Sequence, residues 1–393
     1  GLPPVHGFAE WRGGVRLADD DYQPDDITLN EARLQLDSSA AWRRAEFRAK
    51  VDFLYDGVDS KPDIDPREIN AAISPLSALD LKVGRQILTW GVGDYLFIND
   101  LFPKDWKSFL LGRDDEYLKA PSDAVKASFF SDIANLDMVY TPRFNPDRYI
   151  DGERISFFNP QLNRLAGEDD AFPVEERDEW FADDETAARL SRNLGGFDLA
   201  LYGYDGFWKS PVGFGAVSGQ AVFPRLNVYG ASARGNMLRG VGSLEAGYYD
   251  SRQDRAGDDP LTPNSQARGL AGYEQELLTD FTIGGQYYLE RLLNYGDYRR
   301  TLPEGQAPAD ENRHVLTLRL TFLALHQNLR LVFFAFYSPS DRDAYLRPGA
   351  HYRITDHWTA SIGGNLFKGQ GERTFFGQFE DAANAYAGLR YGF

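Results

Sequence analysis

The residues of this chain most capable of chemistry are ionic, and they alternate with apolar ones. Between Trp42 and Tyr55, Arg44, Glu46, Arg48, Lys50 and Asp52 take every second position, with Ala45, Phe47, Ala49, Val51 and Phe53 between them. Glu10, Arg12 and Arg16 alternate with Ala9, Trp11, Val15 and Leu17, and Glu31, Arg33, Gln35 and Asp37 with Ala32, Leu34 and Leu36. Lys82 sits in a further run of this kind, and Arg319 alternates with Leu318 and Leu320. Rows of cations and carboxylates can do two things. They can pair across neighbouring strands into a lattice that supports a wall. They can also face water as a ladder whose field orients passing polar or anionic solutes. Both can hold at once, because a wall of charges must be wet or paired.

Two further clusters stand out. The segment 90–121 mixes rings (Trp90, Tyr95, Trp106) with polar groups (Asp94, Asn99, Asp100, Lys104, Asp105) and is too long for a plain hairpin. Its rings must be buried somewhere, either over a rim or inside a lumen as a constriction. The segment 143–185 is acidic. Glu168 to Glu185 holds ten carboxylates against the single Arg177, and Phe144 to Phe181 could form a lid. Such density admits calcium or lipopolysaccharide bridged by divalent ions, although no EF-hand spacing is present. No catalytic residue or metal centre is assigned, and no cofactor is expected. The five His (His6, His314, His326, His351, His357) are scattered, and no G-x-S-x-G, Walker or Rossmann motif occurs in proper context. An outer-membrane phospholipase or protease is the enzymatic alternative. It would need a His beside Ser, Asn or Asp at one rim.

The elements that position these groups follow from the alternation. Side chains change faces at each step of a strand, so a period of two gives one charged face and one apolar face. The chain reads as all-β, with about 18 strands (16–18) near 5–17, 27–38, 42–55, 66–74, 79–89, 122–130, 134–142, 186–194, 197–205, 222–236, 239–251, 266–276, 279–291, 312–325, 328–338, 343–353, 356–368 and 382–393. Short connections such as Ser38 to Ala41 and Ser74 to Ala78 alternate with long ones at 18–26, 56–65, 90–121, 143–185, 206–221, 252–265, 292–311 and 369–381. The hairpin near Ser338 to Arg342 is the exception. Loop length segregated by end predicts a transmembrane antiparallel up-and-down β-barrel, one domain over 1–393, with long extracellular loops and short periplasmic turns.

Composition agrees. The 393 residues include 27 Phe, 21 Tyr, 7 Trp and 38 Gly but no Cys, and mean hydropathy is only -0.46. Lipid-facing and lumen-facing residues on the same strands average to that value. Absence of Cys removes disulfides and thiolate chemistry and suits an oxidising compartment. The net charge of -17 disfavours nucleic acid as a partner. The opening Gly1-Leu2-Pro3-Pro4, without Met, reads as a processed mature form.

The chain ends Ala387-Gly388-Leu389-Arg390-Tyr391-Gly392-Phe393, with Phe393, Tyr391, Leu389 and Ala387 on one parity. This resembles the signal read by the outer-membrane barrel-assembly machinery, so Tyr391 and Phe393 are expected to carry it. Leu81 to Gly91 (LKVGRQILTWG) and Ile98 to Pro103 (INDLFP) are similar to segments of proteobacterial outer-membrane barrels of the alginate-export-porin-like kind. They also resemble poorly characterised barrels encoded beside hydrophobe transporters. Arg189-Leu190-Ser191, Asp198 to Tyr202 and Tyr229 to Ser232 fit the same likeness. It implies a porin-like barrel in the bacterial outer membrane, with lipid, lipopolysaccharide and a small-molecule solute as partners. The expected function is passive diffusion of small polar or anionic solutes through a charge-lined lumen. Its lining would be Arg12, Arg16, Arg33, Arg44, Glu46, Arg48, Lys50, Asp52, Lys82 and Arg319. A transporter of hydrophobic substrates is one alternative, suggested by Val332, Phe334 and Phe336. A scaffold barrel that sheaths a partner protein is another.

Overall fold

The computed structural model describes residues 3–170, 173–303 and 307–393. Gly1 and Leu2 lie outside the described residues, as do 171–172 of the acidic segment and 304–306 of the 292–311 connection.

Eighteen strands close into one antiparallel barrel. In chain order they are β1 (Val5–Arg16), β2 (Ile27–Trp42), β3 (Ala45–Asp56), β4 (Lys61–Leu76), β5 (Leu79–Gln86), β6 (Ser122–Phe129), β7 (Asn135–Thr141), β8 (Glu185–Leu194), β9 (Phe197–Phe207), β10 (Arg225–Met237), β11 (Gly240–Ser251), β12 (Gln266–Leu278), β13 (Phe281–Leu292), β14 (Asn312–Ala324), β15 (Leu329–Ser338), β16 (Asp343–Arg353), β17 (Trp358–Lys368) and β18 (Asn384–Gly392). Each pairs with its neighbours in sequence, and β1 pairs with β18 from Phe8↔Gly392 to Arg16↔Asn384. Closure removes the exposed edges that an open sheet would leave.

The two faces follow the predicted parity. On β1, Glu10, Arg12 and Arg16 are buried, while Trp11 and Val15 are about half exposed. Leu201, Leu244 and Ile362 point outward elsewhere, each about three-fifths exposed. A continuous apolar outer belt of this kind requires hydrocarbon around it. No helix among the described residues is long and apolar enough to cross a membrane.

Three sequence expectations are corrected. The Ser38–Ala41 stretch is not a turn. It continues β2, with Ser39↔Arg48 and Trp42↔Ala45 paired, and the chain reverses at Arg43-Arg44, where Arg43 adopts φ 57. Arg44 is therefore exposed in a turn and does not line the lumen. The 56–65 stretch is not a long loop either, since Asp56 pairs with Lys61 and Tyr55 with Pro62, leaving only 57–60 as the connection. The register shifts at Lys50/Val51, with Lys50 opposite Glu68 and Val51 opposite Pro66. Arg67 is the extra residue of this bulge, so Arg67 and Glu68 are both buried.

Candidate functional site

The lumen is defined by what the 87–121 connection does inside it. Helix α1 (Trp106–Leu111) is capped by the Asp105 carboxylate, which accepts from Ser108 N at 2.7 Å, and it ends at Gly112 in a left-handed conformation. Four residues of 3-10 helix, Asp115–Leu118, follow. The segment bonds to inward-facing residues of many strands. On the β1–β4 wall, Arg12 donates to Gly112 O at 2.7 Å, Gln35 to the Tyr117 hydroxyl, Lys50 to Glu116 at 3.1 Å, and Arg67 to Lys119 O at 2.6 Å. Arg113 forms a short ion pair with Glu31. Further round the barrel, Arg319 of β14 pairs with Asp94 at 3.3 Å and Arg347 of β16 with Asp115 at 3.0 Å. Asn365 and Asn384 each donate to Leu110 O at 3.0 Å.

Glu245 of β11 makes the densest single anchor. Its carboxylate accepts from Val92 N (2.9 Å), Gly93 N (3.2 Å), Asn99 N (2.9 Å) and Asn99 Nδ2 (2.9 Å). The neighbouring wall is hollowed to receive the segment. A Cβ at Gly247 would meet Ile98 Cγ2 at 2.6 Å, and one at Gly230 would collide with Asn99 Oδ1. Asp100 is buried with Lys104 (3.0 Å) and also pairs with Lys119. Burial alone would raise the Asp100 pKa, but the two ammonium groups overcome it and hold the carboxyl below its usual range.

The acidic segment packs on this one through its first half. Asp147 accepts from Lys104 N at 2.7 Å and Trp106 Nε1 at 3.1 Å, and Arg148 bridges Asp65 and Asp105 at 2.9 and 3.2 Å. Its carboxylates beyond Glu168 are mostly exposed. Among the described residues no group of three or more His, Asp or Glu is arranged to hold a metal ion.

The predicted lumenal cations face inward, Arg44 excepted, and each has a carboxylate partner. Arg12 lies 3.3 Å from Glu10, Arg16 4.0 Å from Asp20, Arg33 2.7 Å from Asp52, Arg48 2.8 Å from Asp37 and Lys82 3.5 Å from Glu68. Glu46 is exposed at the short-turn rim. Trp90 packs edge-on against Phe102 at 4.9 Å, and the Tyr95 hydroxyl donates to Asp115 at 2.7 Å. Phe334 and Phe336 are buried against this segment, with Phe334 4.7 Å from the Tyr95 ring. The apolar inward face of β15 thus meets a packed-in loop.

Sequence reasoning missed Glu245, Arg67 and Arg347. Glu245 carried a signal, since it stands on the inward parity two residues before Gly247. Arg67 was masked by the bulge, and its acceptors, Glu116 O and Lys119 O, come into reach only once the inserted segment is in place.

On the long-loop side of the segment lies a cavity of about 900 Å³. Phe97, Trp106 and Phe109 form part of its floor, and Trp208, Tyr249 and Phe336 part of its wall.

No protein-family model matches the chain, and no curated protein matches it. Among solved structures the chain is similar to Pseudomonas aeruginosa OccK11, with TM-score 0.57 and 9% identity, covering 99% of this chain and 95% of that one. It is also similar to Pseudomonas aeruginosa OccD3 (TM-score 0.56, 10% identity, 99% and 91% covered). Acinetobacter baumannii OccAB3 gives TM-score 0.55 and 11% identity, with 99% of each chain covered. At such identities the likeness shows a shared barrel fold.

Proposed function

We propose that the chain is an outer-membrane channel for small solutes, with the 87–121 segment as its constriction. The observation that carries this is the anchoring of that segment to opposite walls of a closed barrel, by Arg113–Glu31 on β2 and by Glu245 on β11. A segment held by polar bonds at mid-lumen narrows the path and can shift. Below it the wall carries partly exposed charges of both signs, including Asp37, Arg48 and Lys82. That wall suits small polar solutes. The pairing of its cations supports a mild ionic preference rather than a strong anionic one, and an acidic polysaccharide of the alginate type is correspondingly disfavoured. Tyr391 and Phe393 are proposed as the assembly signal, and lipid and lipopolysaccharide as the surroundings of the outer belt.

The test is conductance and reversal potential in planar bilayers, joined to liposome swelling with sugars, acidic oligosaccharides and alkanoates. A small, weakly selective conductance and swelling graded by solute are expected. The same wall-to-wall contacts favour one second reading, a barrel with a filled lumen that sheaths a partner protein. Purified protein with neither conductance nor swelling would select it.

A further inference from the structure

The cavity above the constriction has a chemistry unlike that of the wall below. Its rings come from the inserted segment (Phe97, Trp106), the barrel wall (Tyr249, Phe336) and several long loops (Trp208 after β9, Phe158 of the acidic segment, Phe376 before β18). The charged groups that line it are all engaged. Lys104 is held by Asp100, Lys209 by Glu185, Arg268 by Glu290 at 3.3 Å and Arg313 by Asp341 at 2.6 Å. Asp147 already accepts from Lys104 N, Trp106 Nε1 and Ser210 Oγ. Several of these cations also lie over ring faces, Arg268 3.9 Å from the Tyr249 centroid and Lys104 4.6 Å from that of Phe97.

We infer that this outer cavity is a binding site for a small, uncharged, ring-bearing molecule, captured before it meets the constriction. The inference rests on the channel reading for its consequence but not for the binding itself. Ligand sites are concave, mostly apolar and about 300–1,000 Å³ in volume, and about 900 Å³ lies within that range. Rings on several sides offer edge-to-face and offset stacking to a planar guest. A charged guest would gain no free counter-charge. It would have to break an existing pair and leave one partner buried alone. An uncharged ring system meets no such penalty and removes apolar surface from water on both sides.

The experiment uses the full-length barrel in detergent, titrated calorimetrically with 2-naphthol below its pKa and, separately, with 2-naphthoate, each against a micelle blank. Saturable 1:1 binding of naphthol is expected, with naphthoate at least tenfold weaker. Leu261→Trp and Val212→Trp, both at lining loop positions, should weaken naphthol binding at least tenfold while the heat-modifiable mobility of the folded barrel is kept. Equal affinity for the two probes overturns the assignment of an uncharged ligand. No saturable binding above the blank, or full binding by both folded Trp variants, overturns the site. Conductance is measured on the same preparation. Binding without conductance refutes the channel and leaves the site, and conductance without binding does the reverse.

Discussion

Replacing Glu245 by Gln tests whether the inserted segment controls the path. The carboxylate receives four hydrogen bonds, Val92 N and Gly93 N on one oxygen and the two Asn99 donors on the other, and the residue is 4% exposed. Glutamine keeps the shape but turns one oxygen into a donor. At least two donors then lose their acceptor in a buried place, at ~1–3 kcal/mol each. The inserted position is thus weakened by about 2–6 kcal/mol. At about 1.4 kcal/mol per tenfold, the ratio of inserted to displaced segment falls by roughly 30-fold to 20,000-fold. The ladder bonds of β11 are main-chain and remain intact, so the barrel survives. In planar bilayers the variant should show larger and noisier openings than the parent, while Glu245→Asp, which keeps both oxygens, should lie between. A folded Glu245→Gln barrel with parental conductance and parental noise refutes the anchoring argument.

Four further outcomes follow from the same geometry. Gly247→Ala should also displace the segment, because its new Cβ meets Ile98. Its effect on conductance should add little to that of Glu245→Gln, a coupling read from the double variant. Arg48→Gln frees Asp37 and Glu68 and should move the reversal potential toward cation preference, whereas Arg44→Gln, in the exposed turn, should leave it in place. Asp100 has a folded pKa below its ordinary value, so its contribution is present above the usual carboxylate range and is lost as pH falls through the folded value. Openings should therefore grow more frequent below about pH 4, and Asp100→Asn should show that behaviour already at pH 7. Deleting Phe393, whose backbone pairs with Gly7, should lower the yield of assembled barrel in cells, with unchanged conductance from the barrels that do assemble.

The strands were legible because a period of two survives any tertiary context in which one face is wet and the other dry. The boundaries were less so where residue type and conformation part company. Arg43-Arg44 carries none of the Gly or Asn usual in a two-residue turn, while Ser38 to Ala41 looks like a turn and pairs as strand. Pro62, Asp63 and Asp65 read as loop, with Pro66 opening the next strand. They remain strand because the missing N–H of Pro66 falls beside the bulge at Arg67, where the ladder is already interrupted. The rings of the segment after β5 called for burial but left open whether over the rim or inside the lumen. The segment's partners were not foreseeable, since Glu245 and Asn99 stand 146 positions apart and only closure of the barrel brings them together.

The charge pattern that first drew attention to the lumen ends with a different meaning. On β1 to β5 each inward cation named from the sequence has a carboxylate within 4.0 Å, and Arg44 drops out of the set. A wall paired residue by residue is stiff and wettable, but it presents little net field to a solute a few ångströms away. Discrimination then rests on where wall residues pair with the inserted segment, as at Arg113–Glu31, Arg319–Asp94 and Arg347–Asp115, and on the aromatic cavity above. Each such bridge joins the inserted element to a fixed strand, so weakening it should alter which solutes pass, whereas weakening a pair within the wall should alter stability and, where the pair is partly exposed as at Arg48–Asp37, ion preference.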